Sequence, residues 1–256
     1  MAYADFRQVP TTTVGGMTLS VLTMDDAAAV MLDAARRHQR GNRPLYFTSA
    51  NGEVLARVAS DKQVAALFAE ADQVLADGQP LVVGSRFLCS LPLPQRVATT
   101  DLFHYVARLA EQNGSTFYLF GAAEAENRKA AEIIARDYPA LKVVGRSHGY
   151  LQGAELDAKL AEINALAPDI FWLAMGVPRE QFFIAEHSHK LSNVGLIKTS
   201  GGLFDHIAGK TRRAPALVQK LGLEWLWRIG QEPRRLFWRY FTTNPYAALL
   251  ILTRSH

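Results

Sequence analysis

The chain has 256 residues, 49% hydrophobic and 20% charged, which fits a globular protein burying a sizeable core as one α/β domain or two small lobes. A single cysteine, Cys89, excludes an internal disulfide and fits a reducing compartment. The first 20 residues lack a basic start followed by an apolar run, and the longest apolar stretch is Tyr246–Leu252. That stretch falls far short of the roughly 20 residues that span a bilayer, so the expectation is a cytoplasmic protein whose membrane contact is peripheral.

In chain order, VGGMTLSVLT reads as a strand or short hairpin and DDAAAVMLDAARRHQR as a helix capped by Asp25. LYFTS is a short buried strand ending in small polar residues. Helical periodicity follows from Gly52 to Glu70 and is split near Ser60-Asp61. QVLADGQPLV reads as a strand interrupted by Asp77-Gly78, and the Pro-rich Leu91–Arg96 as a loop or lid. After Arg96 the order is regular: helix TTDLFHYVARLAEQNG, strand STFYLFG, helix ENRKAAEIIARDYP, strand LKVVGRS, helix ELDAKLAEINALAPD, strand IFWLAMGVP, helix REQFFIAEHSHKL and strand VGLIKTSGG. Short apolar strands alternating with helices predict an α/β fold with a doubly wound, largely parallel sheet.

Ligands of such sheets bind beyond the carboxyl ends of the strands. Those ends carry Ser49-Ala50-Asn51, Asp77-Gly78, Gly121-Ala122-Ala123, Gly176-Val177-Pro178 and Ser200-Gly201-Gly202. Asp77 at a strand end has the chemistry of a general base, and equally that of a turn aspartate bonded to its own backbone. Arg96 has the fork geometry to clamp a phosphate, or to pair with an acid at a helix start such as Asp101. Gly121 opens a turn into a helix, where phosphate or ribose often rests, but without the spacing of a dinucleotide-binding loop. His187 and His189 are two apart and point to different helical faces, no D-x-D occurs, and no serine nucleophile pattern is present. No metal or cofactor is expected.

The net charge is +4, yet eight Lys or Arg face two acids between Lys210 and Tyr240, so the remaining residues are net −2. Pro215 suits a helix start, and Leu217, Leu221, Trp225 and Arg228 follow at helical spacing. This basic tail carries Trp225, Trp227 and Trp238, which suit packing on the body, a membrane interface, or stacking on nucleic acid.

ADGQPLV (Ala76–Val82), PQRVATTDL (Pro94–Leu102), GVPREQFFI (Gly176–Ile184), GGLFDHIAGKTRRAP (Gly201–Pro215) and GLEWLWRIGQEPRRLFWRY (Gly222–Tyr240) together resemble the WecG/TagA/CpsF glycosyltransferases, in order from Val14 to Leu252. The resemblance implies a Rossmann-like fold with a C-terminal basic helical appendage, residues 1–209 forming the catalytic body and 210–256 the appendage. It implies inverting, metal-independent transfer from a UDP-sugar to a polyprenyl-diphosphate-linked saccharide at the inner membrane face. By the same resemblance Asp77 falls on the general base, and Asn51 on the asparagine of an upstream motif whose threonine is here Ser49, with Thr48 before it. Arg96 falls on the arginine of an R-V-x-G-x-D-L motif, with Thr99 where glycine is usual. Gly176 and Pro178 match a loop usually read G-x-P-[RK]-Q-E, so its substrate-contacting glutamine is either replaced by Glu180 or shifted to Gln181. Gly201, Gly202 and Asp205 match a nucleotide-pocket loop, and Arg228, Arg235 and Arg239 the tail's basic positions. The DGQPLV variant, with Pro80, leans toward an exopolysaccharide glucosyltransferase branch. Two alternatives remain: a nucleic-acid-binding α/β protein using the tail, and a non-catalytic membrane-docking module. Because the resemblance covers strand ends as well as the tail, no nucleic-acid partner is expected.

Overall fold

The computed structural model describes residues 5–211, 213–215, 218 and 223–256, without the side chain of Arg235. Strands β1 (Thr11–Val14) and β2 (Met17–Ser20) form an antiparallel hairpin. The body is a six-stranded parallel sheet of β3 (Leu45–Ala50), β4 (Gln73–Ala76), β5 (Thr116–Gly121), β6 (Lys142–Ser147), β7 (Ile170–Ala174) and β8 (Leu196–Thr199), in the order β4-β3-β8-β7-β5-β6. The helices are α1 (Met24–Arg37), α2 (Gly52–Ser60), α3 (Lys62–Ala69), α4 (Gln79–Leu88), α5 (Thr99–Asn113), α6 (Glu124–Asp137), α7 (Gly153–Leu166), α8 (Arg179–His187), α9 (Leu203–Ile207), α10 (Glu224–Gln231) and α11 (Pro233–Thr253). The α/β reading with a parallel sheet and a helical C-terminus therefore holds.

The central strands are apolar on both faces because both faces are covered. Leu45 and Phe47, Phe117 and Leu119, and Ile170 and Trp172 point into a core shared with α1, α5 and α6. The intervening Tyr46, Tyr118, Phe120, Phe171 and Leu173 point into a second core beneath α7 and α8. A third cluster joins the hairpin to α2, α4 and the end of the chain, through Leu19, Leu55, Val82, Leu250 and Ile251.

Local chemistry sets the boundaries. The break at Ser60-Asp61 is a helix restart, with the Asp61 carboxylate accepting from Gln63 N at 2.9 Å and Val64 N at 3.2 Å. The cap of α1 is Thr23 and not Asp25: Thr23 Oγ1 accepts from Asp26 N at 3.2 Å, and Asp25 lies in the first turn. The segment after Asp77-Gly78 is a helix and not the second half of a strand. Pro80 fits the first turn of α4, where no N–H is required, and Leu81, Val82 and Ser85 form its buried face. Asp101 lies in the first turn of α5, whose cap position is Ala98.

The tail is tied to the body at both ends. Arg213 binds Asp101 bidentately, and Glu224 at the start of α10 accepts from Arg96. At the far end, Thr13 and His256 exchange backbone hydrogen bonds of 3.3 and 3.1 Å, and Gly16 N donates to Arg254 O at 2.8 Å. The expected helical positions Leu217 and Leu221 lie outside the described residues.

Candidate active site

The parallel register brings the chemistry-bearing ends together. Ala50 pairs with Ala76, and Asp77 N donates to Ala50 O at 2.8 Å, which sets Asp77 beside Asn51 at the carboxyl edge. The loop after α4 returns past this edge, fixed by Val97 N to Ala76 O at 2.8 Å. Arg96 thereby lies over Asp77, its Nε donating to the Asp77 carbonyl at 2.7 Å and its Nη2 to Oδ1 at 3.1 Å. Asp77 Oδ2 accepts from Thr99 N at 3.1 Å. A carboxylate offers about four lone-pair directions, so two remain for a substrate proton. Arg96 Nη1 reaches Glu224 at 2.7 Å. Burial disfavours the Arg96 charge, but Asp77 and Glu224 outweigh it and hold the guanidinium above its ordinary pKa.

These groups face a cleft of two connected lobes. The smaller, about 240 Å³, is lined by Ser49, Asn51, Asp77, Arg96, Thr99 and Glu180 among others. The larger, about 940 Å³, includes Gly176, Arg179, Asp205, Lys210, Arg239 and Tyr150 in its walls. Asn51, Gly201, Gly202, His206 and Arg228 border both. Asn51 has a structural task as well, since its side chain caps α2 by accepting from Val54 N at 3.1 Å.

Glu180 ties the two glycine loops together. Its Oε1 accepts from Met175 N at 3.0 Å, Ser200 N at 3.1 Å and Gly201 N at 2.7 Å. Complete burial raises its pKa, against the pull of these amides and that of Gly176. Gln181 is buried against the Tyr46 phenol on the α8 side of the sheet and borders neither lobe. Of the two residues that share the Gln-Glu position, Glu180 is therefore the one at the cleft.

Thr48 is also buried beneath the cleft, its hydroxyl accepting from Thr199 Oγ1 at 2.7 Å. Gly121 does not border either lobe; Ala122 does. The glycine is required by packing, since at φ 134° a Cβ would overlap the Ala174 carbonyl of the neighbouring strand. Asp205 pairs with Lys210 at 3.4 Å, and Arg239 with Glu53 at 3.5 Å. The Arg235 side chain lies outside the described residues.

Two cleft groups, Glu224 and His206, and the buried Lys198 beneath them were not singled out from sequence. Lys198 Nζ, fully buried, donates to Ser49 Oγ at 2.9 Å and to the Thr199 carbonyl at 2.7 Å. The detectable signal was a lysine inside the apolar strand LIKT. His206 Nδ1 lies 3.1 Å from Thr211 O, and burial followed by Arg228 lowers its pKa. Among the described residues, no group of three or more His, Cys, Asp or Glu side chains could hold a metal ion.

An open parallel sheet with polar loops converging on a charged cleft defines an α/β protein of the Rossmann-like class. The profile of the Glycosyl transferase WecG/TagA/CpsF family matches residues 12–256. The chain belongs to that glycosyltransferase family. It is similar to the N-acetylglucosaminyldiphosphoundecaprenol N-acetyl-beta-D-mannosaminyltransferase of Bacillus spizizenii, at 31% identity over 82% of this chain and 80% of the relative. It is also similar to the protein of the same name from Bacillus subtilis strain 168, at 30% identity over 80% of this chain and 78% of the relative.

Proposed function

We propose that this glycosyltransferase moves an N-acetylmannosamine-type sugar from a UDP-sugar to a polyprenyl-diphosphate-linked saccharide in cell-surface polymer synthesis. The names of both relatives support an N-acetylhexosaminyl donor over the glucose suggested by Pro80. The observation that carries the reading is Asp77, held at the strand edge by Arg96 and Thr99 with lone pairs left for a substrate. Asp77 takes the proton of the acceptor hydroxyl as that oxygen attacks the anomeric carbon, and the UDP oxygen leaves from the opposite face with inversion. Arg228 and Gly202, which border both lobes, lie beside the space for the leaving diphosphate, and Lys210 and Arg239 stand in the larger lobe. Their fixed positive potential stabilises the developing charge without a resident metal.

Residues 1–209 act as the catalytic body, and 210–256 as the appendage that closes the cleft and meets the inner membrane face peripherally. No helix among the described residues is long and apolar enough to cross a membrane. Exposed Phe237, Trp238 and Phe241 on α11 supply an apolar contact with lipid.

The test is a panel of UDP-sugars offered with a polyprenyl-diphosphate monosaccharide and scored by product mass, in parallel with Asp77→Asn. UDP-N-acetylmannosamine should give product. The Asn variant should lose at least about a thousandfold in turnover while binding UDP nearly as the parent does. Near-normal turnover by that variant sinks the base assignment, and product from UDP-glucose alone sinks the donor assignment.

A further inference from the structure

The feature that the transfer reading leaves unused is the buried ammonium of Lys198. It is 0% exposed, and among the described residues it makes no ion pair, its polar contacts being Ser49 Oγ and the Thr199 carbonyl. Placing a charge there costs several kcal/mol before compensation. Leu196, two residues earlier on the same face of β8, is an ordinary core residue, so packing alone calls for an apolar side chain at position 198. Burial lowers the Lys198 pKa to about 8, with Asp77 and Glu180 pulling it back up.

The direction of the hydrogen bonds shows what the charge does. An ammonium only donates, so Ser49 Oγ must accept from it, and the Ser49 O–H is left to donate. Its neighbour is Thr99 Oγ1 at 3.1 Å. If Ser49 donates to Thr99, the Thr99 O–H is released in turn. Either way one hydroxyl proton of the pair remains to point outward, on a hydroxyl pair that the buried ammonium polarises. Both residues line the smaller lobe, and Thr99 N holds Asp77 Oδ2. The lobe therefore presents an outward donor backed by a buried positive charge, next to the carboxylate. Sugar hydroxyls accept or donate and need no such bias. An oxygen that only accepts and carries negative charge gains from both features, and in this reaction that is a diphosphate oxygen.

We propose that Lys198, acting through Ser49 and Thr99, is the positioning cation for a substrate diphosphate in the smaller lobe. This rests on the transfer reading, in which either the UDP leaving group or the acceptor's prenyl diphosphate supplies the anion.

Calorimetric titration of the full chain with inorganic pyrophosphate, UDP, uridine and a short-chain prenyl-diphosphate saccharide tests it. Lys198→Met should weaken pyrophosphate and one of the two diphosphate substrates by about tenfold or more, and leave uridine within about twofold. The substrate that weakens names the source of the anion. Ser49→Ala should reproduce the loss, and the double variant should add little to it, as expected for groups on one path. Unchanged affinity for pyrophosphate and both substrates in a Lys198→Met protein that melts cooperatively overturns the proposal. If that variant does not fold, unchanged affinities in Ser49→Ala overturn it instead. Absence of any diphosphate binding by the parent protein also overturns it. Parent binding of pyrophosphate without UDP or the acceptor sinks the transfer reading alone, and Lys198 is then judged on pyrophosphate.

Discussion

Lys198 stands where strand alternation calls for a core residue, and the consequence is a linkage between pH and stability. Its pKa moves from an ordinary 10.5 to about 8 through burial, against the partial pull of Asp77 and Glu180. Below the lower value the group is charged in both folded and unfolded chains, and its burial penalty is fully present. Between the two values the unfolded chain holds more protons than the folded one, so this residue's contribution to stability rises with pH. The stability of the parent relative to Lys198→Met should therefore improve by on the order of 2–3 kcal/mol from about pH 7.5 to about pH 10. Urea titrations at four or five pH values measure it, and a difference that stays flat shows that no charge is buried there. The same residue marks a limit of reading sequence. Asp77, Ser49 and Asn51 were legible because each carries chemistry next to a strand end, where ligands of such sheets bind, and Arg96 because a guanidinium ahead of a helix start suits an anion. Lys198 lies one residue inside a strand, and Glu224 gains its meaning from Arg96, 128 residues away. Gly121 read as a ligand-loop glycine, but it borders neither lobe and its cause is the Ala174 carbonyl of the adjacent strand, which no local pattern reveals.

Among the elements, the repeating strand–helix order after Arg96 was legible because each period is long and each helix has its own stop, such as Gly114 at φ 74°. The segment QPLVVGSRFL was not, since a short apolar run fits strand and helix alike and its partner decides. That partner is α11. Gly84 on α4 lets the Ile251 side chain sit against the helix backbone, where a Cβ would overlap it. Ala247, Leu250 and Ile251 are buried there, so the end of the basic tail belongs to the core of the hairpin, α2 and α4. Ile251→Ala removes three carbons from this contact, and little can collapse around a helix pinned by the Thr13–His256 pairing. The expected loss is about 2–4 kcal/mol of unfolding free energy, read by urea denaturation followed by circular dichroism. A loss below about 0.5 kcal/mol, the range of an exposed substitution, would show that the helix end is not part of the core.

At the scale of the molecule, α11 is apolar on two sides, and one of them is exposed among the described residues. Leu236, Tyr240, Ala247, Leu250 and Ile251 face inward, whereas Trp238, Phe241, Leu249 and Leu252 are 68%, 63%, 54% and 70% exposed. The exposed four recur at intervals of three, eight and three, which places them along one side of the helix axis. On α4, which packs against α11, Phe87 is 83% exposed. An aromatic and leucine stripe of this length beside a basic segment is suited to the interfacial layer of an anionic bilayer, with rings among the acyl ends and arginines at the headgroups. The same surface would orient the cleft toward a lipid-linked acceptor, joining the membrane contact and the chemistry in one helix. Cosedimentation with vesicles of mixed zwitterionic and anionic lipid separates the two contributions. Trp238→Ser with Phe241→Ser should lower binding about tenfold or more at every ionic strength, because apolar burial is not screened. The parent should bind less as salt rises from about 0.05 to 0.5 M, because the Debye length shrinks over that range. Neither ring lines the cleft, so transfer to a short-chain acceptor in detergent-free buffer should persist in the double variant. Undiminished vesicle binding by that variant would move the contact off α11 and leave the exposed stripe without a lipid partner.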